Sequence, residues 1–188
     1  MSRPQMFLVA GVNGSGKSTF TRTVLDRFTG LNVIDPDAIA RTLTGSFATI
    51  DSASLAAGKQ ALLAVQQCIE RDQSFIVEST LSGMVYLRYL QQAKDAGFRT
   101  VLIYVALSSV DLSATRVQAR VAEGGHDIPD ADIQRRYLRS FRNLKRHLQI
   151  SDLTYIYDNS DHYRRVASFR NGLIHRQDNI PAWLAPYL

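Results

Sequence analysis

Eight residues near the start of the chain, Gly11-Val12-Asn13-Gly14-Ser15-Gly16-Lys17-Ser18, have the types and spacing that hold the phosphates of a nucleoside triphosphate. They satisfy the full GxxxxGK[ST] pattern between a predicted strand and a predicted helix. The glycines let successive backbone N–H groups turn inward around phosphate oxygens, and the N-terminal field of the next helix falls on the same point. Lys17 can reach the β- and γ-phosphates and the Ser18 hydroxyl can ligate Mg²⁺. Gly11, Asn13, Gly14, Ser15, Gly16, Lys17, Ser18 and Thr19 are therefore the candidate nucleotide-binding residues. A turn that merely joined strand to helix would need neither the lysine nor the hydroxyl in register. Asn13-Gly14-Ser15 also spells a glycosylation acceptor, a reading that its place inside the phosphate loop sets aside.

Phosphate binding does not name a reaction. A small GTPase calls for an NKxD element, whereas Asp158-Asn159-Ser160-Asp161 follows the last predicted parallel strand; Leu81-Ser82-Gly83 is only a fragment of a transporter-ATPase signature. A phosphotransferase remains, which needs a base for the acceptor hydroxyl, an anchor for the acceptor and cations over the transferred phosphate. Asp35 and Asp37 follow the second strand, where a carboxylate at the C-terminal edge of a parallel sheet can orient a hydroxyl and take its proton. Asp35 directly precedes Pro36, so helix capping accounts for it. Asp37 falls in the first helical turn and is the better candidate for the base. Glu78 follows the apolar run Phe75-Ile76-Val77. An acid there is costly unless it meets solvent, a cation or donors. It can hold the acceptor hydroxyl or a water of the Mg²⁺ shell, supported by Thr80, or simply cap the turn that begins at Ser79.

The cations come from two later helices. On a helical wheel Ile133, Tyr137, Phe141, Leu144 and Leu148 share one sector and Arg135, Arg139, Arg142 and Arg146 gather opposite it, as a solvated face would. Arg136 lies at the border of the apolar sector, where a guanidinium can skirt the core and reach a cleft. Arg120 holds a similar border position on the preceding helix, with Arg116 one turn behind. Between the helices stand Gly124-Gly125-His126-Asp127-Ile128-Pro129. The arrangement reads as a short lid, about residues 116–136, that excludes water and brings Arg120 and Arg136 to the phosphoryl group. His126 could touch phosphate or acceptor, although ordinary loop hydrogen bonds account for it. Cys68 has no partner at ligand spacing, so no zinc site is expected.

The elements that must position these residues alternate. Short apolar runs at 6–10, 31–34, 75–77, 101–105 and 153–157 are separated by helical stretches, which argues for βαβ units in a three-layer α/β/α fold around a mainly parallel five-stranded sheet. Asn171-Gly172 predicts a small hairpin in a C-terminal extension, about 161–188. With 188 residues and 45% hydrophobic content, the chain fits one domain. The lone Cys68 excludes an internal disulfide and suits a reducing compartment, and no apolar segment is long enough to span a membrane, so a cytoplasmic location is expected. The net charge of +5 suits phosphorylated small molecules as well as nucleic acid; no aromatics interleave the arginine face to make a stacking platform, which disfavours nucleic acid.

Over roughly residues 6–160 the chain resembles the zeta-toxin family of P-loop kinases, through the loop from Gly11 to Ser18, Val33-Ile34-Asp35-Pro36-Asp37, Val77-Glu78-Ser79-Thr80 and the arginine-bearing region from Arg116 through Arg136. The resemblance implies an ATP- or GTP-dependent kinase that phosphorylates a hydroxyl of a small molecule such as UDP-N-acetylglucosamine, and an antitoxin protein as a candidate partner. It implies that Lys17 and Ser18 bind triphosphate and Mg²⁺, Asp37 is the base, Glu78 holds the acceptor and Arg120 stabilises the transferred phosphate. Arg136, with Arg135 close behind, is the choice for the second lid arginine. The passage from Gly124 to Pro129 and the run Arg135-Arg136-Tyr137 look closer to an uncharacterised bacterial side branch. The competing functions are a nucleic-acid-linked P-loop enzyme and a non-catalytic nucleotide switch.

Overall fold

The computed structural model describes residues 3–24, 30–43, 50–125 and 127–188. Phe28 and His126 lie outside the described residues. Strand β1 (Gln5–Gly11) leads into helix α1 (Lys17–Val24), β2 (Asn32–Ile34), α2 (Pro36–Leu43), α3 (Ile50–Glu70), β3 (Phe75–Ser79), α4 (Val85–Asp95), β4 (Arg99–Ala106), α5 (Val110–Ala122) and α6 (Asp130–Ile150). Strands β5 (Leu153–Asp158), β6 (Arg164–Arg170) and β7 (Leu173–Gln177) and a 3₁₀ turn (Ala185–Tyr187) complete the chain.

The strands form one sheet in the order β2-β3-β1-β4-β5-β6-β7. The pairings among β2, β3, β1, β4 and β5 are parallel, and β5–β6 and β6–β7 are antiparallel. The sheet is thus mixed and seven-stranded, which corrects the expected five: the terminal hairpin is not an appendage but continues the sheet. The reason lies in the connection. Only residues 159–163 separate β5 from β6, too few for a parallel crossover and suited to antiparallel pairing. The hairpin turns at Asn171 and Gly172, whose φ values of 49° and 76° suit a primed two-residue turn.

Period-two alternation along β1 divides the core. Met6, Leu8 and Ala10 pack with Ala61 and Val65 of α3, Leu90 of α4 and Phe141 and Leu144 of α6. Phe7 and Val9 face the other layer with Phe20 of α1, Ile103 and Val105. A strand buried on both faces reads as an unbroken apolar run because each side chain has a helix or loop to meet. β1 lies between β3 and β4, so the loop after it opens at the C-terminal edge of the sheet, where α/β folds place their ligands. The C-terminal segment returns beneath α6, with Trp183 and Tyr187 against Phe141 at ring-centroid distances of 6.2 and 4.9 Å.

Candidate active site

The phosphate loop leaves β1 at Gly11, where a Cβ would run into the Val105 carbonyl of β4. Gly14 and Gly16 have φ of 67° and 90°, the region that side chains with a Cβ avoid. Lys17 lies across the loop and donates from Nζ to the Gly11 and Val12 carbonyls, at 3.0 Å each. Burial lowers its pKa, and the carboxylates of Glu78, Asp37 and Asp35 act in the opposite sense. The Asn13 Oδ1 and Ser15 Oγ atoms are buried without a hydrogen-bond partner among the described residues. Buried polar atoms in that state are costly and mark places that a ligand or water completes.

Glu78 lies inside β3, in register with Val9 of β1, one residue before the strand ends. It is 4% exposed and accepts the Ser18 hydroxyl at 2.8 Å on Oε2. Burial raises its pKa, against the hydroxyls of Thr21 and Ser18, which favour the charged form. The expected support from Thr80 takes a different shape: its hydroxyl bonds Ser82 at 2.9 Å and Ser18 fills the place beside Glu78. Thr80 still lines the cleft. Asp35 accepts the Asp37 N–H at 2.9 Å on Oδ1 and its carbonyl accepts from Ile39, as a cap of α2 does. The exposed Asp37 carboxylate makes no hydrogen bond or ion pair among the described residues and lines the same cleft.

That cleft, about 1080 Å³, brings together the phosphate loop, Thr19, Asp35, Asp37, Glu78, Thr80, Arg120 and Arg136. Arg135, Arg139, Arg142 and Arg146 are exposed on the opposite side of α6, and Arg135 is held by Asp132 at 2.7 Å. Arg136, 3.4 Å from the other oxygen of Asp132, is the member of the adjacent pair that lines the cleft. Arg120→Ala and Arg136→Ala should therefore each lower turnover by roughly 100-fold, the scale of losing one preorganised charge donor. Arg139→Ala and Arg142→Ala should stay within about threefold, in the range of a solvated surface position. Turnover at matched substrate saturation checks this, and equal losses in all four variants would defeat the assignment.

The helix that leads into the region expected as a lid rests on the phosphate loop. Ser113 of α5 donates to the Asn13 carbonyl at 2.6 Å, and a Cβ on Gly14 would lie 2.8 Å from the Ser113 carbonyl, so α5 rests directly on the phosphate loop. Val117, Ile128 and Ile133 form a small apolar cluster that ties the crossover to α5 and α6. Arg120 thus projects from a helix packed on the phosphate loop. Sequence reasoning missed Ser113, Asn159 and Tyr163, and noted Arg116 only as a neighbour of Arg120. Their one signal was location: Asn159 and Tyr163 stand in the short passage after β5, at the same sheet edge as the phosphate loop.

Comparison with known proteins agrees with this architecture. The zeta toxin family profile matches residues 1–168. A relative from Haemophilus influenzae, described as an uncharacterized protein, is 35% identical over 127 residues, covering 68% of this chain and 88% of its own. The solved structure of the PezAT chromosomal toxin-antitoxin system of Streptococcus pneumoniae aligns with a TM-score of 0.68 at 22% identity, over 87% of this chain and 71% of that one. AvrRxo1-ORF1:-ORF2 with ATP aligns at a TM-score of 0.69 and 17% identity, over 92% of this chain and 60% of the other, so this chain spans less than two thirds of that one. The two structures establish a shared fold; the profile and the relative establish kinship, and the chain belongs to the zeta-toxin family of P-loop proteins.

Proposed function

We propose that this protein is a P-loop kinase that transfers the γ-phosphate of ATP, or of GTP, to a hydroxyl of a small molecule, with nucleotide sugars such as UDP-N-acetylglucosamine as the leading acceptor class. The observation that carries the reading is one cleft lined by the phosphate loop, by an Asp37 carboxylate with no hydrogen bond or ion pair among the described residues, by a buried Glu78 and by two arginines from separate helices. Lys17 neutralises phosphate oxygens, Asp37 orients the acceptor hydroxyl and takes its proton, Glu78 holds the acceptor side, and Arg120 and Arg136 meet the charge on the transferred group. Oxygen donors suit Mg²⁺, and Ser18 beside Glu78 supplies them. Bound there with the phosphates, the cation would neutralise charge on the transferring group.

The far wall of the cleft supports an anionic acceptor with an apolar body. Leu55 and Leu62 of α3 line it together with Tyr86. Gly58 of the same helix lines the wall too, and a Cβ there would meet nothing within 4 Å. Lys59 lines this wall without an ion pair or hydrogen bond among the described residues. The arginine face of α6 gives little support to nucleic acid, because its neighbouring aromatics turn inward: Tyr137 donates to the Leu107 carbonyl and Phe141 is buried. An antitoxin protein as partner is part of the same reading, supported by the likeness to the PezAT system. So is a cytoplasmic location, where ATP is abundant. Among the described residues no helix is long and apolar enough to cross a membrane.

The test incubates the protein with γ-labelled ATP, Mg²⁺ and a metabolite mixture, with UDP-N-acetylglucosamine in a separate arm. Label should move to a small-molecule product only when protein and acceptor are both present. ATP hydrolysis with no phosphorylated product would leave a nucleotide switch instead. With an acceptor in hand, Lys59→Ala should raise its KM about tenfold, the equivalent of one charge-assisted contact, and leave ATP affinity unchanged.

A further inference from the structure

The phosphate loop is gripped from outside by the connection between β5 and β6. Asn159 donates from Nδ2 to the Ser15 carbonyl at 2.9 Å, and the Tyr163 hydroxyl donates to the Gly16 carbonyl at 2.6 Å. The grip leaves no slack, since a Cβ on Gly16 would collide with the Tyr163 hydroxyl and lie 2.9 Å from Asn159 Nδ2. The connection is itself fastened to β4, through the Asn159 N–H and the Ala106 carbonyl at 3.0 Å. The Phe20 ring of α1 packs between Tyr157 and Tyr163, with centroid distances of 4.9 and 5.8 Å. From the other side Arg116 of α5 spans two carbonyls of the connection, Asn159 at 2.8 Å and Ser160 at 3.0 Å.

Peptide geometry gives these contacts a purpose. In a trans peptide the C=O of one residue and the N–H of the next point in opposite directions across one plane. Three loop carbonyls are bonded outward, those of Asn13 and Ser15 by side chains alone and that of Gly16 by the Tyr163 hydroxyl together with the Phe20 N–H of α1 at 2.9 Å. The N–H groups of Gly14, Gly16 and Lys17 are thereby turned the opposite way, into the phosphate cradle, before a nucleotide arrives. Donors set in advance need no reorganisation when charge develops, and that is where their value lies. Arg120 stands one helical turn beyond Arg116, so the same contacts fix its helix relative to the cradle.

We infer that Asn159, Tyr163 and Arg116 are positioning residues: a latch that pre-sets the phosphate cradle and holds Arg120 in register with it. The cradle half of this inference concerns nucleotide binding alone; the Arg120 half rests on the kinase reading above.

The experiment uses the full chain and three readouts, namely titration with a non-hydrolysable ATP analogue and Mg²⁺, thermal unfolding, and kcat with an identified acceptor. Tyr163→Phe, which keeps the ring against Phe20, and Asn159→Ala should each weaken analogue affinity about 5- to 10-fold with Tm nearly unchanged. Their combination should lose less than the product of the single losses, because both act on one loop. Should Asn159→Ala fail to fold, Tyr163→Phe carries this arm. Arg116→Ala should lower kcat about 30-fold in the parent and by less than threefold when Arg120 is already alanine, as expected when one group acts through the other. Arg116→Lys keeps the charge but replaces a fork whose two nitrogens each reach one carbonyl with a single ammonium, so it should recover little of the loss. Analogue affinity within twofold of the parent in Tyr163→Phe, or losses that merely follow Tm, would overturn the cradle half. Full rescue by Arg116→Lys, or undiminished loss in the Arg120→Ala background, would overturn the register half. If no acceptor is ever phosphorylated, the kinase reading and the register half fall together, and the affinity arm still decides the cradle half.

Discussion

Lys17→Ala should abolish most phosphate transfer, by roughly 100- to 1000-fold, while the protein stays folded. The Nζ atom is satisfied by two carbonyls of its own loop, Gly11 and Val12, so its position over the cradle is set before the nucleotide binds. On the proposed kinase reading, the ammonium would exchange those neutral acceptors for phosphate oxygens when the triphosphate enters and follow the charge that builds up between the β- and γ-phosphates. Loss of one such preorganised group has the stated magnitude. Stability should move little, within about 1 kcal/mol: two hydrogen bonds are lost, but so is the cost of keeping a partly buried ammonium, the same cost that lowers its pKa. Turnover beside a thermal melt checks both statements. Turnover within threefold of the parent would remove Lys17 from the site.

The second large effect separates two aspartates one residue apart. Asp37→Asn should reduce acceptor phosphorylation by roughly 100-fold or more, the range of general base catalysis, with ATP affinity little changed. Asp35→Asn should keep most activity. The structure supplies the contrast: Asp35 spends Oδ1 on the Asp37 N–H and stands 3.9 Å from Arg41 with Oδ2, whereas the Asp37 carboxylate has no such partner among the described residues. Asparagine is a good cap, and an exposed ion pair of that length contributes little, so Asp35→Asn should cost less than about 1 kcal/mol. Product formation and an independent nucleotide titration for both variants decide the matter. If Asp35→Asn abolishes transfer while Asp37→Asn remains near normal, the two roles are exchanged.

Much of this was legible in the residues themselves, because it depends on local chemistry. GxxxxGK[ST] dictates a phosphate loop wherever a strand precedes it and a helix follows, and both faces of β1 had to be buried for Met6 to Ala10 to be wholly apolar. Asp35 before Pro36 specifies a capped helix start. The spacing of Ile133, Tyr137, Phe141, Leu144 and Leu148 separated Arg136 from the outward arginines, and the structure puts Arg136 alone of the adjacent pair on the cleft. Asn171-Gly172 signalled the hairpin, since two consecutive positive φ values suit few other residue pairs.

What sequence could not contain were meetings between residues far apart in the chain. Ser18 and Glu78 are 60 positions apart and Asn159 and Ser15 are 144 apart; no periodicity records such a pair, because each side chain satisfies only its local rules until the sheet order brings the strand ends together. β1 lying between β3 and β4 puts Glu78 beside the loop, and β5 beyond β4 delivers Asn159 and Tyr163 to its outer side. The same geometry sets α5, which leads into the expected lid, against the phosphate loop. Two glycines in a crossover speak for backbone freedom, but Gly14 without a Cβ lets α5 settle against the loop, where Ser113 and Arg116 then hold it. The amino acids determined by themselves that a triphosphate would be held, and by which backbone; only the tertiary structure decided which distant side chains hold that backbone in place, because hydrogen bonds depend on atoms meeting at about 3 Å and not on their order along the chain.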